Sequence, residues 1–170
     1  MNAIPRYIFL CLIFLFFEVF ILNKVELGMG SQLFILPLYI MLLPFETSVF
    51  VLMLIGFFLG IFADIMLNTF GINASSLLLT AFLRPIIFRI FILNEENYVT
   101  KRMTISNMGW AVFNLSYGLL LLIYTVWFVL LEVFRLSDWL LILRNIVLSF
   151  VASYLLAQII QLFFRKNKSQ

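Results

Sequence analysis

From Ile4 to Phe164 the chain is a succession of helix-length apolar runs, with polar residues gathered mainly in the short stretches between them. This pattern leaves few folds open. A soluble domain is about 45–50% apolar and about 25% charged. Here 65% of residues are hydrophobic and 11% charged, with a mean hydropathy of +1.16. A chain of 170 residues cannot bury that excess in one soluble core, so lipid must be its solvent and a single embedded domain its organisation. Inside hydrocarbon every backbone amide needs a partner, and an open strand leaves half of them without one. Each run is therefore expected to be an α-helix, giving an all-α polytopic membrane protein.

Six segments can be drawn, over residues 4–22, 33–43, 49–67, 74–93, 110–134 and 139–164. A span needs about 17–25 residues, so the second segment is expected to be thin, tilted or re-entrant. The fifth and sixth are long enough to tilt or to enter the interface. The first follows Arg6 and exceeds the 7–15 residues or so of a signal-peptide core, and no Ala-x-Ala-like site follows it. It reads as a retained helix. The loop 135–138 is tight enough to make the last two helices an antiparallel hairpin. The polar stretch 94–107 is too short for a domain and reads as a cytoplasmic loop. No internal repeat is visible, as the second half does not echo the Gly/Asp and Arg-Pro features of the first.

Basic residues orient the segments. With both termini cytoplasmic, that side holds Arg6, Lys101, Arg102, Arg165, Lys166 and Lys168, and the other side holds Lys24, Arg135 and Arg144. This excess follows the positive-inside rule. The tail from Arg165 to Lys168 accordingly reads as a topogenic flank in preference to an anionic-lipid or nucleic-acid patch. If the second segment does not cross, the termini lie on opposite sides.

Charges inside the runs are few, and each is costly unless paired. Gly56, Gly60 and Asp64 follow one another at four-residue spacing and share a helical face. Gly56-x-x-x-Gly60 lets another backbone approach closely. With Ala63 and Asp64 it reads as a docking groove for an internal helix or for a partner protein. Glu18, Glu46, Asp64, Arg84 and Arg89 are expected to form a buried polar network, with Arg84 paired to Asp64 or Glu18 and Arg89 to Glu46. Pro44, Gly71 and Asn73 mark turns, and Pro85 should kink the fourth helix beside Arg84. Asn114, Ser116, Tyr117, Arg144, Asn145, Ser149, Ser153 and Gln158 are expected to hydrogen-bond between helices.

An enzyme is not expected. The chain has no histidine, Cys11 is its lone cysteine, and it holds neither a phosphate-binding glycine loop nor a metal-ligand spacing. Asp64 has no second intramembrane aspartate to work with, since Asp138 lies in a loop. No cofactor or metal is expected.

Four short stretches occur in order: Leu43-Pro44-Phe45-Glu46-Thr47, Gly56-Phe57-Phe58-Leu59-Gly60 with Asp64, Gly71-Ile72-Asn73-Ala74, and Ala81-Phe82-Leu83-Arg84-Pro85. Together they resemble the MreD family of rod shape-determining proteins, in its Bacteroidetes-type form. Length, hydrophobic layout and the basic tail are similar too. The family commonly has Pro-Gly-Leu-His before the fourth helix, where this chain has Phe70-Gly71-Ile72-Asn73. A role resting on that histidine does not carry over, whereas a turn-forming or hydrogen-bonding role can. The resemblance implies a non-catalytic scaffold subunit of the bacterial elongation (rod) complex, in the inner membrane. It would bind MreC and help couple MreB filaments to the glycosyltransferase and transpeptidase of peptidoglycan synthesis, and so control cell shape. It also implies a fold similar to the S component of energy-coupling-factor transporters, which supplies the alternative: a small-solute-binding transport subunit. S components usually carry Ala-x-x-x-Ala in the first helix, and residues 4–22 contain no alanine.

Overall fold

The computed structural model describes residues 4–25, 31–44, 46–92, 110–133 and 139–166. The expected loops 94–107 and 135–138 lie outside these residues. Six α-helices follow in order: α1 (Ile4–Phe16), α2 (Leu36–Leu42), α3 (Val49–Leu67), α4 (Ile72–Ile92), α5 (Trp110–Val133) and α6 (Trp139–Lys166). A π-helical turn, Phe17–Ile21, and a 3₁₀ turn, Leu22–Lys24, continue α1. No strand occurs among the described residues. Five helical stretches are long and apolar enough to cross a membrane: Tyr7–Lys24, Val49–Leu67, Ile72–Phe91, Val112–Val133 and Trp139–Gln161. The protein is an all-helical, multi-pass membrane protein.

The second apolar run departs from the other five. Only Leu36–Leu42 is helical, 7 residues, which rise about 10 Å against a hydrocarbon core of about 30 Å. It cannot cross as a helix. Prolines set both ends. Pro37 sits in the first turn of α2, where its missing N–H costs nothing and where the helix cannot extend far behind it. Leu43 is extended, with ψ 153°, as the residue before a proline prefers. Residues 31–35 carry no regular structure. Leu36 to Met41 are all buried, so α2 has no lipid-facing side and forms part of the core of the bundle. It runs antiparallel to α1: Glu18 reaches Ile35, whereas Tyr39 reaches back to the carbonyl of Tyr7.

α3 and α4 form the tightest hairpin. Ser48 caps α3 by accepting from the Val51 N–H. Asn68, left-handed at φ 56°, and Gly71, at φ +81°, then reverse the chain. A Cβ on Gly60 would lie 2.6 Å from the Ala74 nitrogen and collide with the Ala74 backbone, and one on Gly56 would lie 3.0 Å from the Leu77 carbonyl oxygen. α5 and α6 are also antiparallel, with Gln158 donating to Asn114 and Tyr117 stacked on Tyr154. Large apolar side chains such as Phe9, Phe62, Leu115 and Leu155 are exposed on the outside of the helices, as lipid contact requires.

Candidate functional site

Non-helical backbone at membrane depth survives only where protein supplies its hydrogen bonds. Residues 31–44 pose that problem, and Glu18, Arg84, Asn145, Ser149 and Ser153 answer it. On α6, Asn145, Ser149 and Ser153 follow at four-residue spacing and so share one face. Ser31 Oγ donates to Asn145 Oδ1 (3.4 Å), the Gln32 N–H to Ser149 Oγ (3.0 Å) and the Phe34 N–H to Ser153 Oγ (2.8 Å). The stripe thus holds the irregular backbone that leads into α2. Gln32 adds a bond from Nε2 to Glu132 Oε1 (2.8 Å).

The charges stand at the two ends of α2. Glu18, 3% exposed, accepts the Ile35 N–H at 2.7 Å, at the start of the half-helix. Arg84, 1% exposed, donates at its other end to the carbonyls of Met41 (3.3 Å), Leu43 and Pro44 (3.4 Å). Its guanidinium also lies 5.4 Å from the Phe88 ring centroid. A helix carries partial positive charge at its N-terminus and partial negative charge at its C-terminus. The carboxylate and the guanidinium each stand at the complementary pole, and they meet amide groups that the helix leaves unpaired.

Asp64 serves a separate end. Its Oδ1 accepts from Thr69 Oγ1 (2.5 Å), the Asn73 N–H (3.0 Å) and Asn73 Nδ2 (3.1 Å), and its Oδ2 accepts from the Ala74 N–H (2.9 Å). An aspartate near the end of α3 therefore caps the first turn of α4. Tyr124 ties α5 to this cap by donating to Asn73 Oδ1 at 2.9 Å.

This arrangement corrects several expectations. Arg84 follows Asn73 by eleven residues on α4, about 16 Å along the axis, so it does not pair with Asp64. Arg84 and Glu18 act on opposite ends of α2 instead of on each other. Glu46 and Arg89 are exposed and belong to no buried network. Gly56, Gly60, Ala63 and Asp64 are buried, and the glycine face is filled by α4 of the same chain, which leaves it closed to a partner. Ser116 bonds back to the Val112 carbonyl of its own helix. Pro44 and Gly71 lie outside the helices, whereas Asn73 is the second residue of α4 and not part of the turn, and Pro85 lies inside α4. The α6 stripe does pair, Ser149 and Ser153 with backbone amides and Asn145 with the Ser31 hydroxyl, and not with another helix. Thr69 and Tyr124 drew no notice in the sequence, because a lone hydroxyl in an apolar run gives no signal.

Among the described residues no group of acidic, cysteine or histidine side chains could hold a metal. The oxygens of Glu18 and Asp64 are engaged by backbone and side-chain donors, so these buried acids hold helix ends in place. The chain matches no known protein family, no curated protein and no solved structure.

Proposed function

We propose that this protein is a non-catalytic scaffold subunit of the MreD type in the bacterial inner membrane. In this reading it binds MreC and helps couple MreB filaments to the glycosyltransferase and transpeptidase of peptidoglycan synthesis, and so controls cell shape. One observation carries the reading. The four stretches that resemble MreD form a single spatial unit: Arg84 holds the carbonyls of Leu43 and Pro44, Asp64 caps Asn73 and Ala74, and Gly60 lies against Ala74. Their polar groups are spent on helix ends inside the bundle, which suits a rigid scaffold better than a solute carrier.

The proposal includes six crossings and an S-component-like helical fold. α2 rises about 10 Å, and the irregular residues 31–35 before it add to that rise toward the 30 Å or so of hydrocarbon. The second segment then makes the sixth pass, and both termini are cytoplasmic. Because α4 fills the Gly56 and Gly60 face, MreC must dock on a lipid-facing helix surface.

Co-purification in nanodiscs with MreC from the same cell tests the reading. A stable complex that Gly60→Leu abolishes only in proportion to lost folded protein supports it. A chain that captures no MreC but retains a small solute is a transport subunit, and the scaffold reading fails.

A further inference from the structure

On the α5–α6 seam three side-chain donors are sealed from solvent and have no hydrogen-bond partner: Asn114 Nδ2, the Tyr117 hydroxyl and Gln161 Nε2. Tyr117 is 0% exposed and Asn114 7%. Gln158 Nε2 donates to Asn114 Oδ1 at 2.7 Å, and the rings of Tyr117 and Tyr154 stack at 6.1 Å. These two contacts fix the antiparallel register, and they place the three donors within about 9 Å along the seam. A buried donor left unmet costs its full desolvation, and hydrocarbon offers no water to answer it. Three such groups on one seam call for oxygen acceptors from outside the chain.

The chemistry and the position select the source. The amide nitrogens of Asn114 and Gln161 can only donate, so they suit phosphate and ester oxygens, which only accept. α6 continues past Gln161 to Arg165 and Lys166, about one turn farther along the helix. Lys and Arg in the sequence at the end of a membrane helix favour anionic headgroups, whose phosphate and ester oxygens are acceptors. The seam also has a movable edge. Tyr154 is half-buried, lies against Gly118 (3.5 Å from a Cβ built there) and is stacked between Tyr117 and Phe150. No hydrogen bond among the described residues holds it.

We propose that the α5–α6 seam is an anionic-phospholipid site, closed in this structure, that Tyr154 opens and that Tyr117, Asn114 and Gln161 line as donors. The site is independent of the scaffold reading. Thermal unfolding of the full chain in detergent tests it, with phosphatidylglycerol or phosphatidylcholine of the same acyl chains added. Phosphatidylglycerol should raise the wild-type midpoint by several degrees more than phosphatidylcholine. Tyr117→Phe and Gln161→Leu should each melt higher than wild type in detergent alone, because an unmet donor is gone, whereas Asn114→Leu also strands Gln158 Nε2 and should not gain. Each should also lose part or all of the phosphatidylglycerol-specific shift. Equal shifts from the two lipids in wild type, or a specific shift retained by all three variants, overturns the site. Native mass spectrometry of the wild type gives a reading free of variant folding, and no retained phosphatidylglycerol there is equally decisive against it.

Discussion

Arg84 shows how an intramembrane charge can serve backbone carbonyls at a helix end. It donates to carbonyls of Met41, Leu43 and Pro44, and a buried acceptor left unmet costs about 1–3 kcal/mol. Arg84→Ala is therefore expected to cost at least about 3 kcal/mol, read as a lower midpoint in a detergent melt. Asp64→Ala should destabilise by unmaking the α4 cap, at about 1–2 kcal/mol or more. The two sites lie about 16 Å apart with no shared bond, so their losses should add in the double variant to within about 0.5 kcal/mol. A double variant no worse than the Arg84 single variant would mean that the two residues do form a pair. The sequence made these residues conspicuous, because charge in an apolar run is visible by inspection. It did not show their partners. Opposite formal charges suggest an ion pair, whereas the partial charges at helix ends appear only once the ends of α2 are known.

Among the elements, α3 was the most legible: its expected bounds, 49–67, are those observed, since Ser48 supplies a cap and the run is unbroken. Hydropathy cannot distinguish a buried irregular segment from a helix, and so residues 33–43 were marked as short but not as broken. The readable trace was the combination of Pro37, Pro44 and the spaced Asn145, Ser149 and Ser153 on α6. If that stripe holds the irregular backbone, Ser149→Val and Ser153→Val should each strand one amide and cost about 1–3 kcal/mol. Leu155→Ala, on the exposed side of the same helix, should cost much less. Equal midpoints for all three variants would remove the stripe's role. The α3–α4 hairpin offers a second graded test. Gly60→Ala forces a Cβ into the Ala74 backbone, whereas at Gly56 the nearest atom is a carbonyl oxygen at 3.0 Å. Gly60→Ala should therefore lose far more folded protein than Gly56→Ala, as judged by the monodisperse fraction in size-exclusion chromatography.

At the scale of the whole molecule, everything about sidedness turns on residues 31–44. If this stretch crosses the bilayer, the chain passes six times and its ends share a side. If it enters and returns, the chain passes five times and they do not. The antiparallel run of α2 against α1, from Glu18 to Tyr7, favours a crossing, because it carries the chain back along most of the first helix. Lys24 at the end of the first helix, Glu46 before α3 and Phe70 at the α3–α4 turn are all exposed. They mark three connections whose sides cysteine labelling can assign in a Cys11→Ser background. Six crossings predict that Lys24→Cys and Phe70→Cys react with an impermeant maleimide from outside the cell, and that Glu46→Cys reacts only after the membrane is opened. Labelling of Lys24→Cys and Glu46→Cys from the same side would make the second segment re-entrant and place the termini on opposite faces. The irregular stretch and half-helix would then be a buried loop held by Glu18, Arg84 and the α6 stripe, and not a pass through the membrane.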